Sequence, residues 1–456
     1  MKRETYTISR LVIATALFAL IQTGCQKETA DDLPGIAEDN TAAGEKGSAN
    51  SYTADVAITW YNLELKLIKE TAGHTPPIAA RDLGYTGIAL YESLAGGIKN
   101  SHTLAGQLNG LSSLPTRIAG EKYVPPVCAN AAMANVMRGL YANASVINLA
   151  RIDSLENANN LNNQSGFDAA TLQRSRDFGH SIGDAIFNWS ITDGGHQAYL
   201  NNFPASYIPP AGSGYWVPTY PAYSAAMLPY WGSNRTFVPA NGPGPIDPPA
   251  PPAYSTSPGS PFYLAAMEVY NMSNNLTQAQ MDIASYWADG GGTITPPGHN
   301  IAIVAQTIQE NNFKLGQAAI LFAKAGIAEN DAGIVCWRSK YNVSLQRPIT
   351  YIRDNFNATW NSYIGTPPFP AYTSGHSSFS GACARILESR FGKNYAFTDN
   401  SKVPYGFAPR SFTSFNAFAE EAAVSRLYGG IHYTFDNVNG YNCGILIANN
   451  VLALNW

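Results

Sequence analysis

From residue 52 onward, apolar residues recur at steps of three and four along most of the chain, the spacing of one face of an α-helix. VAITWYNLELKLIKE (56–70), AARDLGYTGIALYESLA (79–95), ANAAMANVMRGLYA (129–142), DFGHSIGDAIFNWS (177–190), AIVAQTIQENNFKLGQAAILFAKAGIAEND (302–331) and AFAEEAAVSRLYGG (417–430) each carry such a face. Alternating strand patterns are scarce, so the expected class is all-α. Residues 195–262 break the rhythm with aromatic, glycine- and proline-rich chain ending in VPANGPGPIDPPAPPAYSTSPGSP. A loop of that length is either a wall over a pocket, with Tyr215, Trp216, Tyr230 and Trp231 as its aromatic surface, or a surface excursion. No fixed-period repeat or composition shift divides the chain, which predicts a single large helical domain over residues 51–456.

The first 50 residues follow different rules. Lys2, Arg3 and Arg10 precede the apolar run LVIATALFALI (11–21), which is too short to span a bilayer. IQTGCQ follows and looks like a bacterial lipobox, with Gln22 where leucine is usual. The expectation is a lipoprotein signal peptide at 1–24, cleaved before Cys25, then a lipid-anchored flexible tether at 25–50. A plain secretory signal with an incidental cysteine is the alternative. Cleavage would remove three positive charges and Glu4, taking the net charge from −4 to −6. The protein is thus expected in the bacterial cell envelope, on the periplasmic or outer-membrane face, meeting the membrane only through the anchor.

Composition adds little more. Charged residues are 13% of the 456, about half the usual share of roughly 25%, and no basic stripe suggests nucleic acid. Beyond Cys25, the cysteines Cys128, Cys336, Cys383 and Cys443 are too widely spaced for a local zinc motif. They permit disulfides or buried thiols equally.

The candidate chemistry lies in three segments. In FPAYTSGHSSFSG (369–381), Thr373 or Ser374 can cap a helix, leaving the Ser374, Gly375 and His376 amides at a positive helix end. In CWRSKYNVSLQRPITYIRD (336–354), Lys340 and Arg347 are nearly two helical turns apart and can face one way. In EEAAVSRLYGGIHYTFDNVNG (420–440), Arg426 ends one helical pattern and His432 opens the next. Asp436 lies one turn after His432, able to take its Nδ1 proton and leave Nε2 as a lone pair. Three cations, neutral donors and two histidines suit a tetrahedral oxyanion. No acidic cluster suits a metal cation.

Lys-x6-Arg-Pro (340–348), Ser-Gly-His (374–376) and Ser-Arg-x5-His-x3-Asp (425–436) resemble the three-part motif of type 2 phosphatidic acid phosphatases, bacterial acid phosphatases and vanadium-dependent haloperoxidases. TPPIAARDLGYTGIALYESL, WSITDGG, LPYWGSNRTFV and YWADGGGTITPPGH extend the likeness to the haloperoxidase branch. Thr373 stands where proline normally precedes Ser-Gly-His. The resemblance implies a fold of two helical bundles and a vanadate cofactor, with neither haem nor nucleotide. It implies His432 as the vanadate ligand, or the nucleophile of a phosphatase, His376 as the acid–base group, and Asp436 orienting His432. Lys340, Arg347, Ser374, Gly375 and Arg426 would hold the oxygens, with Lys340 also polarising bound peroxide.

Vanadate and phosphate share shape and charge, so the surroundings must discriminate. Trp337 and Phe369 match positions where haloperoxidases line a halide pocket with rings. The expected activity is oxidation of bromide, iodide or chloride by hydrogen peroxide to hypohalous acid, which halogenates a small organic acceptor. The alternatives are a phosphomonoesterase using a phospho-histidine intermediate, and a non-enzymatic surface-binding lipoprotein. Among secondary candidates, His299 and Asp289 lie in family-like stretches, with Asp289 placed to brace Arg426. His196 and Ser377 are candidates for halide tuning, and His74, His102 and His180 read as structural or exposed.

Overall fold

The predicted helical faces become thirteen α-helices among the described residues, with one short hairpin. These residues are 48–456 of a computed structural model; the signal, Cys25 and the tether to residue 47 lie outside them. The first group is α1 (Asp55–Glu70), α2 (Pro76–Leu94), α3 (Pro125–Leu140), α4 (Val146–Asn163) and α5 (Ala169–Ser190). After the long loop come α6 (Pro261–Asn274), α7 (Gln278–Tyr286), α8 (Thr295–Glu310), α9 (Leu315–Val343) and α10 (Pro348–Asn355). The last group is α11 (Gly375–Phe391), the strands β1 (Phe397–Asp399) and β2 (Arg410–Phe412), α12 (Phe415–Tyr428) and α13 (Thr434–Leu452). The strands pair antiparallel, Phe397 opposite Phe412. No described helix is long and apolar enough to cross a membrane.

Helix α9 is the axis of the packing. Its buried residues run from Leu315 to Lys340, and it contacts α2, α8, α11 and α13. Local chemistry sets the helix starts. Ser145, Asp168, Ser260, Thr277, Ser374 and Ser414 each accept a hydrogen bond from an amide of the first turn. Proline stands in the first turn of α2, α3, α6, α8 and α10, where its missing N–H costs nothing.

Two local readings are corrected. The run at 302–331 is two helices: α8 stops at Glu310, and Asn312 adopts a left-handed φ of 53° before α9 begins. Lys340 and Arg347 do not share a helix either. Ser344 breaks α9 with a φ of 50°, and Arg347 caps the start of α10.

The loop between α5 and α6 holds only short 3-10 turns. It is pinned to the bundle: Trp216 N–H donates to Ser344 O, Met227 N–H to Pro368 O, and Phe237 and Val238 N–H to the buried Asp331 carboxylate. Trp216 and Trp231 are buried, whereas Tyr215 and Tyr230 are exposed. The four cysteines beyond Cys25 are buried free thiols.

Glycines let α11 and α13 approach closely. A Cβ at Gly440 would lie 2.7 Å from Ser374 O, and one at Gly444 would lie 2.3 Å from Ser378 O. Both acceptors are α11 or cap backbone, so neither can yield cheaply. Gly444→Ala should therefore destabilise the protein by about 1–3 kcal/mol through overpacking, although Gly→Ala inside an unconstrained helix stabilises by roughly 0.5–1 kcal/mol. Thermal and urea unfolding check the sign. An unchanged or raised melting temperature would refute the seam.

Candidate functional site

The three motif segments converge through hydrogen bonds to backbone. Lys340 Nζ donates to the carbonyls of Pro370, Ala371 and Thr373, fixing the strap that leads into α11. Arg347 Nε donates to Phe369 O at 2.7 Å, and its Nη1 donates to Ile431 O at 2.8 Å and to His432 Nε2 at 3.0 Å. Arg426 Nη2 donates to Trp287 O and its Nε to Ser425 Oγ. Thus all three cations spend their bonds on carbonyls, a hydroxyl and an imidazole. Among the described residues, no carboxylate pairs with them directly.

The histidines are held in different ways. His432 lies two residues ahead of α13 rather than on it, and its Nδ1 meets Asp436 Oδ2 at 2.9 Å. The same Oδ2 accepts Tyr433 N–H at 3.1 Å, so the carboxylate fixes both ring and helix start. With Nδ1–H directed at Asp436, Nε2 keeps its lone pair, which here accepts from Arg347. His376 occupies the first turn of α11 and hydrogen-bonds the Trp287 backbone. Burial, followed by the field of nearby arginines, lowers both imidazoles well below their ordinary value, so both are neutral at pH 7. Burial likewise pulls Lys340, Arg347 and Arg426 down. The guanidinium groups nonetheless stay charged.

The two histidines and Arg426 face a cavity of about 710 Å³. Trp337, Phe369, Gly375, His376, Arg426 and His432 line it; Lys340, Arg347, Ser374 and Asp436 stand behind that lining. The Trp337 and Phe369 rings are 5.0 Å apart, and Lys340 Nζ lies 4.9 Å from the Phe369 centroid. The first residues of α2, α8 and α11 (Pro76, Thr295 and Gly375) also line the cavity, adding three positive helix ends. The donor set fits a bound tetrahedral oxyanion. Arg347 Nη2 and His376 Nε2 are buried without a partner, and among the described residues no carboxylate contacts the three cations directly.

The remaining candidates divide. Asp289 lines the cavity, but its carboxylate serves His299 Nδ1 at 2.9 Å and Lys402 Nζ rather than bracing Arg426 by contact. His299 donates its other nitrogen to Asp399 at 2.8 Å, and Tyr286 OH donates to that same carboxylate. Burial alone would lower His299, yet the two carboxylates raise it to about 9. Ser377 is buried against Ser374 Oγ, and His196 is exposed; neither lines the cavity. The four aromatics Tyr215, Trp216, Tyr230 and Trp231 do not form its wall; Met227 does.

His74 reads as structural from sequence, and it is tied to Asp82 and Asn143, but it also lines the cavity. The chain holds three Thr-Pro-Pro triplets, at 75–77, 295–297 and 366–368, and all three reach the lining. That repeated tripeptide is the overlooked signal: two copies start helices aimed at the cavity.

Sulfate tests the cradle, because its charge is constant across the working pH range. Saturating sulfate should raise the melting temperature, by about 2.7 kcal/mol of stability at a hundredfold excess over Kd. Arg347→Ala should remove most of the shift. Burial lowers Lys340 to about 7, and it binds anions only while protonated, so the shift should be full below about pH 6 and shrink as pH rises through 7. An ordinary lysine, with a pKa of about 10.4, would hold the shift much further. A rise that ignores both pH and Arg347→Ala argues against an oxyanion cradle.

Comparison with known proteins agrees with this geometry. Residues 320–455 match the VCPO second helical-bundle domain. Vanadium chloroperoxidase of Curvularia inaequalis is 29% identical over an alignment covering 33% of this chain. The alignment spans about a third (35%) of that curated relative's length. A crystal structure of a bacterial vanadium-dependent chloroperoxidase superposes with a TM-score of 0.65 at 15% identity, covering 84% of this chain and 92% of that one, a likeness of fold alone. The crystal structure of a bacterial vanadium-dependent iodoperoxidase superposes with a TM-score of 0.81 and is 32% identical, covering 88% of this chain and 96% of that one. Identity of that level across nearly the whole of a solved relative places the chain in the vanadium-dependent haloperoxidase family.

Proposed function

We propose that the protein oxidises halide, iodide foremost, with hydrogen peroxide, using vanadate held in the cradle. The net reaction is halide, peroxide and a proton giving hypohalous acid and water; an organic acceptor then takes the halogen. The observation that carries this reading is the buried excess of positive charge beside an aromatic wall. Iodide is favoured because the 32% identical relative is an iodoperoxidase and because the Trp337–Phe369 wall suits a soft, polarisable anion.

In this reading His432 Nε2 is the ligand to vanadium, made available by the Asp436 bond to Nδ1. Arg347 Nη2, Arg426 and the first amides of α11 hold the oxygens, with Ser374 ordering that turn. Lys340 contributes charge and, with its three bonds to carbonyls, keeps the 370–373 strap in place. Bound vanadate supplies a pentavalent Lewis acid that activates peroxide. His376, neutral with an unpartnered Nε2, accepts a proton from peroxide. Trp337 and Phe369 keep water from the halide. We also infer export and lipid anchoring through Cys25, supported by the charged start, apolar run and lipobox-like IQTGCQ.

Chelated protein should be nearly inactive until orthovanadate is added, and vanadium measured by elemental analysis should track iodide oxidation. His432→Ala should abolish oxidation, whereas Asp436→Asn should weaken it less by loosening the ring. Full activity without vanadium would sink this reading. A vanadium-free protein with robust phosphomonoesterase activity and no iodide or bromide oxidation would favour the phosphatase alternative.

Trp337→Leu keeps an apolar side chain but removes the ring. It should raise the iodide KM about fivefold, equivalent to about 1 kcal/mol of aromatic contact. The sulfate-dependent melting shift should be unchanged. Loss of both together would mean that Trp337 is only core.

A further inference from the structure

The cavity meets sulfur at one point. Among the described residues of its lining, Met227 alone carries a sulfur atom. The four thiols beyond Cys25 are buried, and none of them lines the cavity. Met133 and Met137 are buried in α3. Met267 and Met272 of α6 and Met281 of α7 are half-buried but lie outside the lining.

Met227 is held beside the ring wall by its backbone. Its N–H donates to Pro368 O at 2.9 Å, one residue before Phe369. Its carbonyl accepts the Trp337 indole N–H at 3.4 Å and the Tyr341 hydroxyl. The residue is therefore bonded to one ring of the wall and to the neighbour of the other. Ala226 and Leu228 on either side are buried, whereas Met227 is half-buried. Since both of its backbone polar groups are turned into the protein, the part of Met227 left to the cavity is its side chain.

A thioether is soft and polarisable, and oxidation converts it from a flexible apolar group into a polar one. Hypohalous acid formed against Trp337 and Phe369 is formed beside this sulfur. The thiols, which would react as readily, are kept behind the lining.

We propose that Met227 is a site of self-modification: hypohalous acid made in the cavity oxidises its thioether to the sulfoxide, and the sulfoxide weakens halide binding. Turnover without an organic acceptor then limits itself. The assignment rests on the haloperoxidase reading above. The sulfur gives an electron pair to the halogen, and hydroxide leaves. Water adds to the sulfur, halide departs with the bonding pair, and two protons are released, one of which neutralises the hydroxide. The net change is thioether and hypohalous acid giving sulfoxide, halide and one proton. Sulfur loses the two electrons that the halogen gains.

The test runs the holoenzyme with peroxide and either iodide or bromide, without acceptor, and reads peptides by mass spectrometry as turnover rises. Met227 sulfoxide should accumulate ahead of sulfoxide at Met267, Met272 and Met281. Reagent hypohalite added to vanadate-free protein should not reproduce that order. The halide KM should rise about fivefold as Met227 is converted, because a polar oxygen enters an apolar wall. Met227→Leu should hold whatever KM it starts with through the same number of turnovers. The proposal is overturned if Met227 is oxidised no faster than the other three, equally fast with halide omitted, or in the same order by added reagent. A sulfoxide that leaves KM unchanged, or an equal rise in Met227→Leu, overturns it as well. Trihalide formation reads the activity itself. Trihalide formed with Met227 intact removes this proposal alone, whereas absent halide oxidation removes the haloperoxidase reading and this proposal with it.

Discussion

A buried excess of positive charge that no carboxylate touches directly is the constraint around which this protein is arranged. Lys340, Arg347 and Arg426 are almost wholly buried, and their bonds go to uncharged groups. Desolvation works against each of them. Helix starts at Pro76, Thr295 and Gly375 add partial positive charge to the same cavity. The fold tolerates this because the cations also act as ties, each binding carbonyls of a segment that must be held. An arriving anion removes the electrostatic cost without rebuilding those ties.

A second buried network behaves differently because its charges balance. Asp289 and Asp399 are offset by protonated His299 and by Lys402, with Tyr286 closing the set. It joins the hairpin end to the loop before α8, and Trp287 stacks on His299 with centroids 4.7 Å apart. Trp287 O is the acceptor for Arg426 Nη2, and the Trp287 backbone also bonds His376. The neutral network therefore fixes the backbone position from which an acid–base candidate and a cation are both aimed. Separating the supporting charges from the anion-binding charges keeps a carboxylate from occupying the anion's place.

Much of this was legible in the sequence because it is local. Amphipathic spacing gave α1, α2, α3, α5 and α12, and the Ser374 cap and the i, i+4 relation of His432 and Asp436 followed from short-range geometry. The convergence of three segments came from resemblance rather than spacing. What sequence reading missed is tertiary. A left-handed residue inside a polar stretch, as at Asn312, leaves the apolar period nearly intact and so hides a break. Exposed and buried rings of the long loop look alike in composition, so Met227 was not distinguishable from Trp216 as the cavity-facing residue. Lys340 read as a free donor because carbonyl acceptors leave no trace in side-chain patterns.

The break at Ser344 changes what the interval between Lys340 and Arg347 measures. It is the last turn of α9, one left-handed residue and the extended approach to α10, not two turns of continuous helix. Leu345 pairs with Tyr215, and Gln346 N–H bonds Gly214 O, so each position in the interval has its own backbone neighbour. A residue inserted or deleted there shifts that register and swings Arg347 away from His432. The stretch from Asn357 to Pro367, outside any helix, is tied to another segment's backbone at Ile364, whose N–H bonds Gly429 O. Length variation among descendants of this chain should spare the six residues between the two cations.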